Sequence, residues 1–163
     1  MERVVRHFQE ELGTLQSRLL EMGGLAEDRV RRSVQALEDR DPDAIEQVLK
    51  GDEPINELHI EIDNRCFRLL ALHQPMAADL RAIVAAVKIN TDLERVGDLS
   101  INIAEAATRY TLHPPVKKLI DIPRMNRPAR TSARRASAPG HREDGAAGTG
   151  GLTFGSVVAV PHR

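Results

Sequence analysis

Residues 4–37 place apolar side chains at alternating steps of four and three: Val4, Phe8, Leu12, Leu15, Leu19 and Met22, then Val30, Val34 and Leu37. At 3.6 residues per turn such positions share one face, so the segment reads as a long helix with one buried stripe. Gly13 and the pair Gly23-Gly24 each weaken it by about 1 kcal/mol relative to Ala. A bend is expected near Gly23, with the periodicity resuming beyond it.

The rest of the chain has to bury that stripe. Asp39-Arg40-Asp41-Pro42 reads as a turn and a helix start, with Asp41 suited to the N-cap and Pro42 to the first helical position. A second helix follows to about Leu72, with Ile45, Val48, Leu49, Ile55, Ile62, Cys66, Leu69 and Leu70 toward the core. Its weak point is Gly51-Asp52-Glu53-Pro54, where proline either kinks one helix or starts another capped by Asp52. His73-Gln74-Pro75 breaks the chain again. A third helix runs from about Met76 to Tyr110 and ends before His113-Pro114-Pro115. Three helices of about 30 residues, each about 45 Å long and joined by short turns, define an all-α class: an antiparallel three-helix bundle over residues 1–122.

Charge divides the chain at nearly the same place. Up to Arg124 there are 17 Lys/Arg against 22 Asp/Glu, a net of −5; from Met125 on there are 6 Arg against 2 acids, a net of +4. The later segment holds 6 of the 11 glycines and has no sustained period, so residues 123–163 are expected to form a disordered tail.

The one cysteine excludes an intramolecular disulfide and fits a reducing compartment. Met1-Glu2-Arg3 leads into a charged amphipathic stretch instead of an apolar signal core, and no run approaches the roughly 18 apolar residues of a spanning helix. The chain therefore reads as cytoplasmic, with no direct membrane insertion. With no Trp, one Tyr and three Phe it offers no base-stacking platform, and no nucleic-acid partner is expected.

On the third helix, Ile89, Leu93, Val96, Ile103 and Ala107 share one face, and Glu94, Asp98 and Glu105 fall roughly opposite, within about 40° of one another. Glu94 and Asp98 are i and i+4, so their Cβ atoms lie about 5–6 Å apart. Two readings fit: a solvated acidic face screened by Arg95 and Arg109, or a pair of oxygen donors for a hard cation. Gly97, without a propensity reason for its place, is expected to mark close approach of another backbone. Asp52, Asn56, His59 and Asp63 form a second polar set at steps of four, three and four. On one continuous helix they would lie in the apolar stripe, where burial demands hydrogen bonds or a ligand; with a helix restart, Asp52 is an N-cap. The chain has no glycine-rich phosphate loop, no His-Glu-x-x-His and no Glu-x-x-His pair, and the lone cysteine lacks a positioned base, so no enzymatic activity is expected.

Gln74-Pro75-Met76-Ala77-Ala78-Asp79-Leu80-Arg81, Asp92-Leu93-Glu94-Arg95-Val96-Gly97-Asp98 and Asn102-Ile103-Ala104-Glu105 together resemble the PhoU family of phosphate-specific transport accessory proteins. The likeness runs over about residues 5–122. It implies one of that family's two three-helix repeats, with Glu94 and Asp98 as ligands of iron or another hard cation; Asp52 and Asn102 are further candidate ligands. It also implies a cytoplasmic, often dimeric regulator of phosphate uptake and phosphate-starvation signalling. The partners implied are the phosphate transporter's ATPase subunit and a sensor histidine kinase. A second repeat should begin near Leu119–Met125, where the Arg/Ala/Gly-rich tail begins instead. So abrupt a change is that of a reading-frame shift in a GC-rich gene or of a natural short form. Self-association through the surface a second repeat would cover is expected. The contrasting reading is a generic helical scaffold without a metal site.

Overall fold

The computed structural model describes residues 2–51, 53–114 and 122. Among the described residues four helices follow in order: α1 (Glu2–Asp39), α2 (Pro42–Lys50), α3 (Glu53–His73) and α4 (Ala77–Thr111). The long α1, α3 and α4 make the expected antiparallel three-helix bundle. α2 is a short extra rod packed on α1 and α4. The expected tail lies outside the described residues, as does its boundary, apart from Ile122.

Local chemistry accounts for the breaks. Asp41 caps α2 as its side chain accepts from the backbone N–H groups of Asp43 (3.0 Å) and Ala44 (3.3 Å), with Pro42 in the first turn. The second helix of the sequence reading is two helices: α2 stops at Lys50, and α3 restarts at Glu53 with Pro54 in its first turn, where a missing N–H costs nothing. α1 runs unbroken through Gly13 and Gly24.

The core forms two clusters. The larger unites Phe8, Leu15, Leu19 and Met22 of α1 with Ile62, Cys66 and Leu69 of α3 and Ile83, Ile89 and Leu93 of α4. The smaller, at the α2 end, joins Ala36 and Leu37 to Ile45, Val48, Ala104 and Ala107, with Ile122 packed against it. On α4 the buried seam differs from the apolar face expected from hydropathy. Val96 and Ile103 are only half-buried, while Asn90, Gly97, Ser100 and Ala104 are buried. The α1–α4 contact is the most extensive in the bundle.

Candidate functional site

The seam residues of α4 decide where its acidic side chains go. Leu93, Gly97 and Ser100 turn inward, and Ser100 Oγ donates to Val96 O of its own helix (2.9 Å). Gly97 lies against α3, but its close neighbour is a side chain instead of the expected backbone. A Cβ at this position would meet Ile55 Cδ1 at 3.3 Å and Cγ2 at 3.4 Å. Around the helix from this contact, Glu94 is half-buried at the edge of the seam, and Asp98 and Asn102 are exposed. The three form an i, i+4, i+8 row along one side of α4.

The second polar set comes apart. Asp52 lies outside the described residues. Asn56 is exposed, while His59 and Asp63 are half-buried on the shoulder of α3 that meets α4. There the buried Asn90 donates through Nδ2 to both His59 O and Asp63 Oδ1, each at 3.0 Å. His59 Nε2 lies 4.0 Å from Asp63 Oδ2. Asp63 is thus spent on joining two helices. Sequence reasoning missed Asn90, although its place between Ala86 and Leu93 marks it as a polar residue inside an apolar stripe.

Asp63 also acts on its neighbour Cys66. Burial, and secondarily the Asp63 charge, push the thiol up to about 12. A buried thiol so held is packing material and no nucleophile.

On the α1–α3 side, Arg18 lies between Glu21 (2.7 Å) and Glu61 (3.1 Å), and Arg65 also reaches Glu61 (2.8 Å). Glu11 collects Arg68 at 3.6 Å, His73 at 3.4 Å and His7 at 3.8 Å. The groove between these ladders, about 260 Å³, is lined by Glu11, Glu61, Asn64, Arg65, Arg68 and Leu69. Its cations already face carboxylates, so it holds no spare charge for an anion.

For a metal, the donors are incomplete. Among the described residues no three His, Cys, Asp or Glu side chains converge closely enough to hold an ion. Glu94 and Asp98 offer two carboxylates from one helix, and a hard cation takes six or more oxygen ligands. The remainder would have to be water or donors from outside the described residues.

A profile of the PhoU domain matches residues 19–107, from the middle of α1 to the end of the α4 seam. The chain belongs to the PhoU family. It is 42% identical over 127 residues to the PhoU homologue of Caulobacter vibrioides, a phosphate-specific transport system accessory protein, covering 77% of this chain and 55% of that one. The Aquifex aeolicus homologue is 38% identical over 112 residues, covering 69% of this chain and 51% of its own length. The crystal structure of PhoU from Pseudomonas aeruginosa superposes with a TM-score of 0.75 at 35% identity, over 79% of this chain and 62% of that one. The chain thus spans about half the length of the curated PhoU relatives it matches. Among the described residues no helix is long and apolar enough to cross a membrane.

Proposed function

We propose that this chain is a regulator of phosphate uptake and of phosphate-starvation signalling that works in the cytoplasm by binding proteins. The partners are the phosphate transporter's ATPase subunit and a sensor histidine kinase, and no reaction is catalysed. The observation that carries the reading is the PhoU match over residues 19–107, which spans most of the three-rod bundle. The relatives are named accessory proteins of phosphate-specific transport, which ties the bundle to that system. The chemistry of the surface agrees: paired charges and exposed carboxylates suit recognition better than bond-making.

The test is a bacterial strain deleted for its own full-length regulator and carrying a phosphate-starvation promoter fused to a fluorescent reporter. Expression of this chain in phosphate-replete medium is expected to lower the reporter signal toward the wild-type level. A folded, well-expressed chain that leaves the reporter fully induced would overturn the reading.

The i, i+4 spacing of Glu94 and Asp98 favours a second element within it. The pair supplies two ligands to iron or a similar hard cation, with water or further donors filling the other positions. Metal analysis of protein purified without a chelating tag checks this. Bound iron that falls when Asp98→Asn is introduced supports it, and metal content indifferent to both carboxylates removes it.

A further inference from the structure

α4 buries one stripe of side chains and turns a second, of different chemistry, to the outside. At about 100° per residue, Arg81, Lys88, Arg95 and Arg109 fall within about 40° of the direction opposite the buried Ala86 and Ala104. They follow at intervals of seven residues, with Asn102 in the fourth place. Val84 and Leu99 lie among them; all these side chains are exposed, and no Asp or Glu of α4 shares the sector. Elsewhere cations meet carboxylates of their own or a neighbouring helix: Arg18 meets Glu21 and Glu61, Arg31 and Arg32 meet Asp28, and Lys50 meets Glu46. Among the described residues none of the four on α4 stands within ion-pair distance of a carboxylate. Asp92 flanks the row on one side, and Asp98 and Glu105 flank it on the other, each about 60–80° from its midline.

We infer, on the regulatory reading above, that this outer ridge of α4 docks a helix of a partner protein. That helix carries Asp or Glu at seven-residue intervals, apolar side chains against Val84 and Leu99, and basic residues on its own flanks. Charge across α4 runs acid, cation, acid. A broad anionic surface, such as a vesicle or a duplex, would meet the flanking carboxylates together with the cations. A helix about 10 Å wide can answer each row with its opposite. Asp92 and Glu105 keep this pattern even where Glu94 and Asp98 hold the cation proposed above. The interval of seven selects a helix independently. From Arg81 to Arg109 the ridge runs about 42 Å, and its members drift only about 20° per heptad, so a rod in a shallow left-handed wrap stays opposite them throughout. A second copy joined symmetrically through the ridge would bring the two cation rows together, which like charges oppose.

The probe is a fluorescein-labelled synthetic helix of about four heptads, with glutamate at the first position of each, leucine at the fourth and lysine on both flanks. Its control exchanges the glutamates for lysines. Each is titrated onto the full chain by fluorescence anisotropy. The glutamate peptide is expected to bind, more weakly at higher salt, and the control to bind far less. Lys88→Glu with Arg95→Glu should weaken the glutamate peptide about tenfold and let the lysine control bind instead. Val84→Ser should weaken the glutamate peptide about three- to fivefold. Lys50→Glu on α2, an exposed cation off the ridge, should leave it unchanged. Unchanged circular dichroism establishes that the variants fold.

Failure of the glutamate peptide to bind, equal binding of the two peptides, or indifference to the charge reversal at Lys88 and Arg95 overturns the inference. So does cosedimentation with phosphatidylglycerol vesicles that the same reversal abolishes, which would make a lipid surface the occupant. A dimer that the reversal dissociates would make it a second copy and overturns the inference equally. The reporter strain separates the ridge from the regulatory reading. If the wild-type chain lowers the reporter and the reversed variant lowers it equally, the ridge is wrong and the regulatory reading stands. If the wild-type chain binds the glutamate peptide without touching the reporter, the ridge stands and the regulatory reading falls.

Discussion

Gly97 shows how one missing side chain sets a helix–helix distance. Ile55, itself buried, lies where a Cβ at position 97 would press on both Cδ1 and Cγ2. Gly97→Ala therefore sets a helix-propensity gain of about 1 kcal/mol against a contact that the branched, buried Ile55 cannot relieve by moving only its tip. Net destabilisation of about 1 kcal/mol is expected in urea unfolding. In an Ile55→Ala background the same change should stabilise, and a cycle that leaves its sign unaltered would refute the packing account. Cys66 gives a second prediction, with the sign worked from proton uptake. The folded protein holds the thiol proton up to about 12 against an ordinary 9.0, so the folded state binds more protons between those values. The resulting stability is fully present below pH 9 and is lost as pH rises toward 12. Denaturant midpoints measured from pH 8 upward should fall more steeply for the wild type than for Cys66→Ala. Matching slopes would show that the thiol is not held neutral by the fold.

Helix ends account for much of how the elements are joined, and Arg40 is the clearest case. It follows the last residue of α1 with φ at +55°, a left-handed conformation that usually selects glycine or asparagine. The arginine there spends its side chain on the end of α4. Nη2 donates to the carbonyls of Tyr110 and Thr111 at 3.2 Å each and to His113, and the guanidinium lies 4.7 Å from the centre of the Tyr110 ring. The Tyr110 and Thr111 carbonyls are the last of the helix and have no partner within it, so a cation there gains from both hydrogen bonding and the helix dipole. Arg40→Ala should cost about 1–2 kcal/mol and speed amide exchange in the final turn of α4. Arg40→Gly should cost less, because it removes the same bonds but relieves the backbone; equal losses would mean that the left-handed turn carries no strain. Sequence alone conveyed the turn at Asp41-Pro42, a weak point at residues 51–54 that it left open between a kink and a restart, and the three long rods, because capping, proline and apolar spacing are local signals. The clamp was not legible, since a guanidinium 70 residues from its acceptors leaves no local pattern. The α4 seam was legible only in part. Hydropathy weights Val96 and Ile103 and passes over Asn90, Gly97 and Ser100, so it turned the buried face away from the side that packs on α3. Glu94 accordingly sits at the edge of the seam instead of diametrically outside it.

Across the whole molecule, stability is expected to be uneven, because the two core clusters differ in what they bury. The larger is built mainly of Leu, Ile, Met and Phe from three long helices, whereas half of the smaller is alanine. Apolar stabilisation scales at about 25 cal/mol per Å² removed from water, so alanine-rich packing contributes less per residue even when it is tight. The end that holds α2, the last turns of α1 and the C-terminal half of α4 is therefore the weaker one, and it leans on polar fixtures. Besides Arg40, the buried Arg29 donates to Val48 O at 3.3 Å. Hydrogen exchange under native conditions should then be slowest around Leu15–Met22, Ile62–Leu69 and Ile83–Leu93, and faster in α2 and beyond Ala104, opening as a unit at a free energy below that of global unfolding. Ile62→Ala should lower protection in all helices together, at a cost of about 2–5 kcal/mol. Val48→Ala should lower it mainly at the α2 end. Uniform protection across both clusters, or an equal response to the two substitutions, would show instead that the bundle opens only as a whole and that its two ends do not differ in strength.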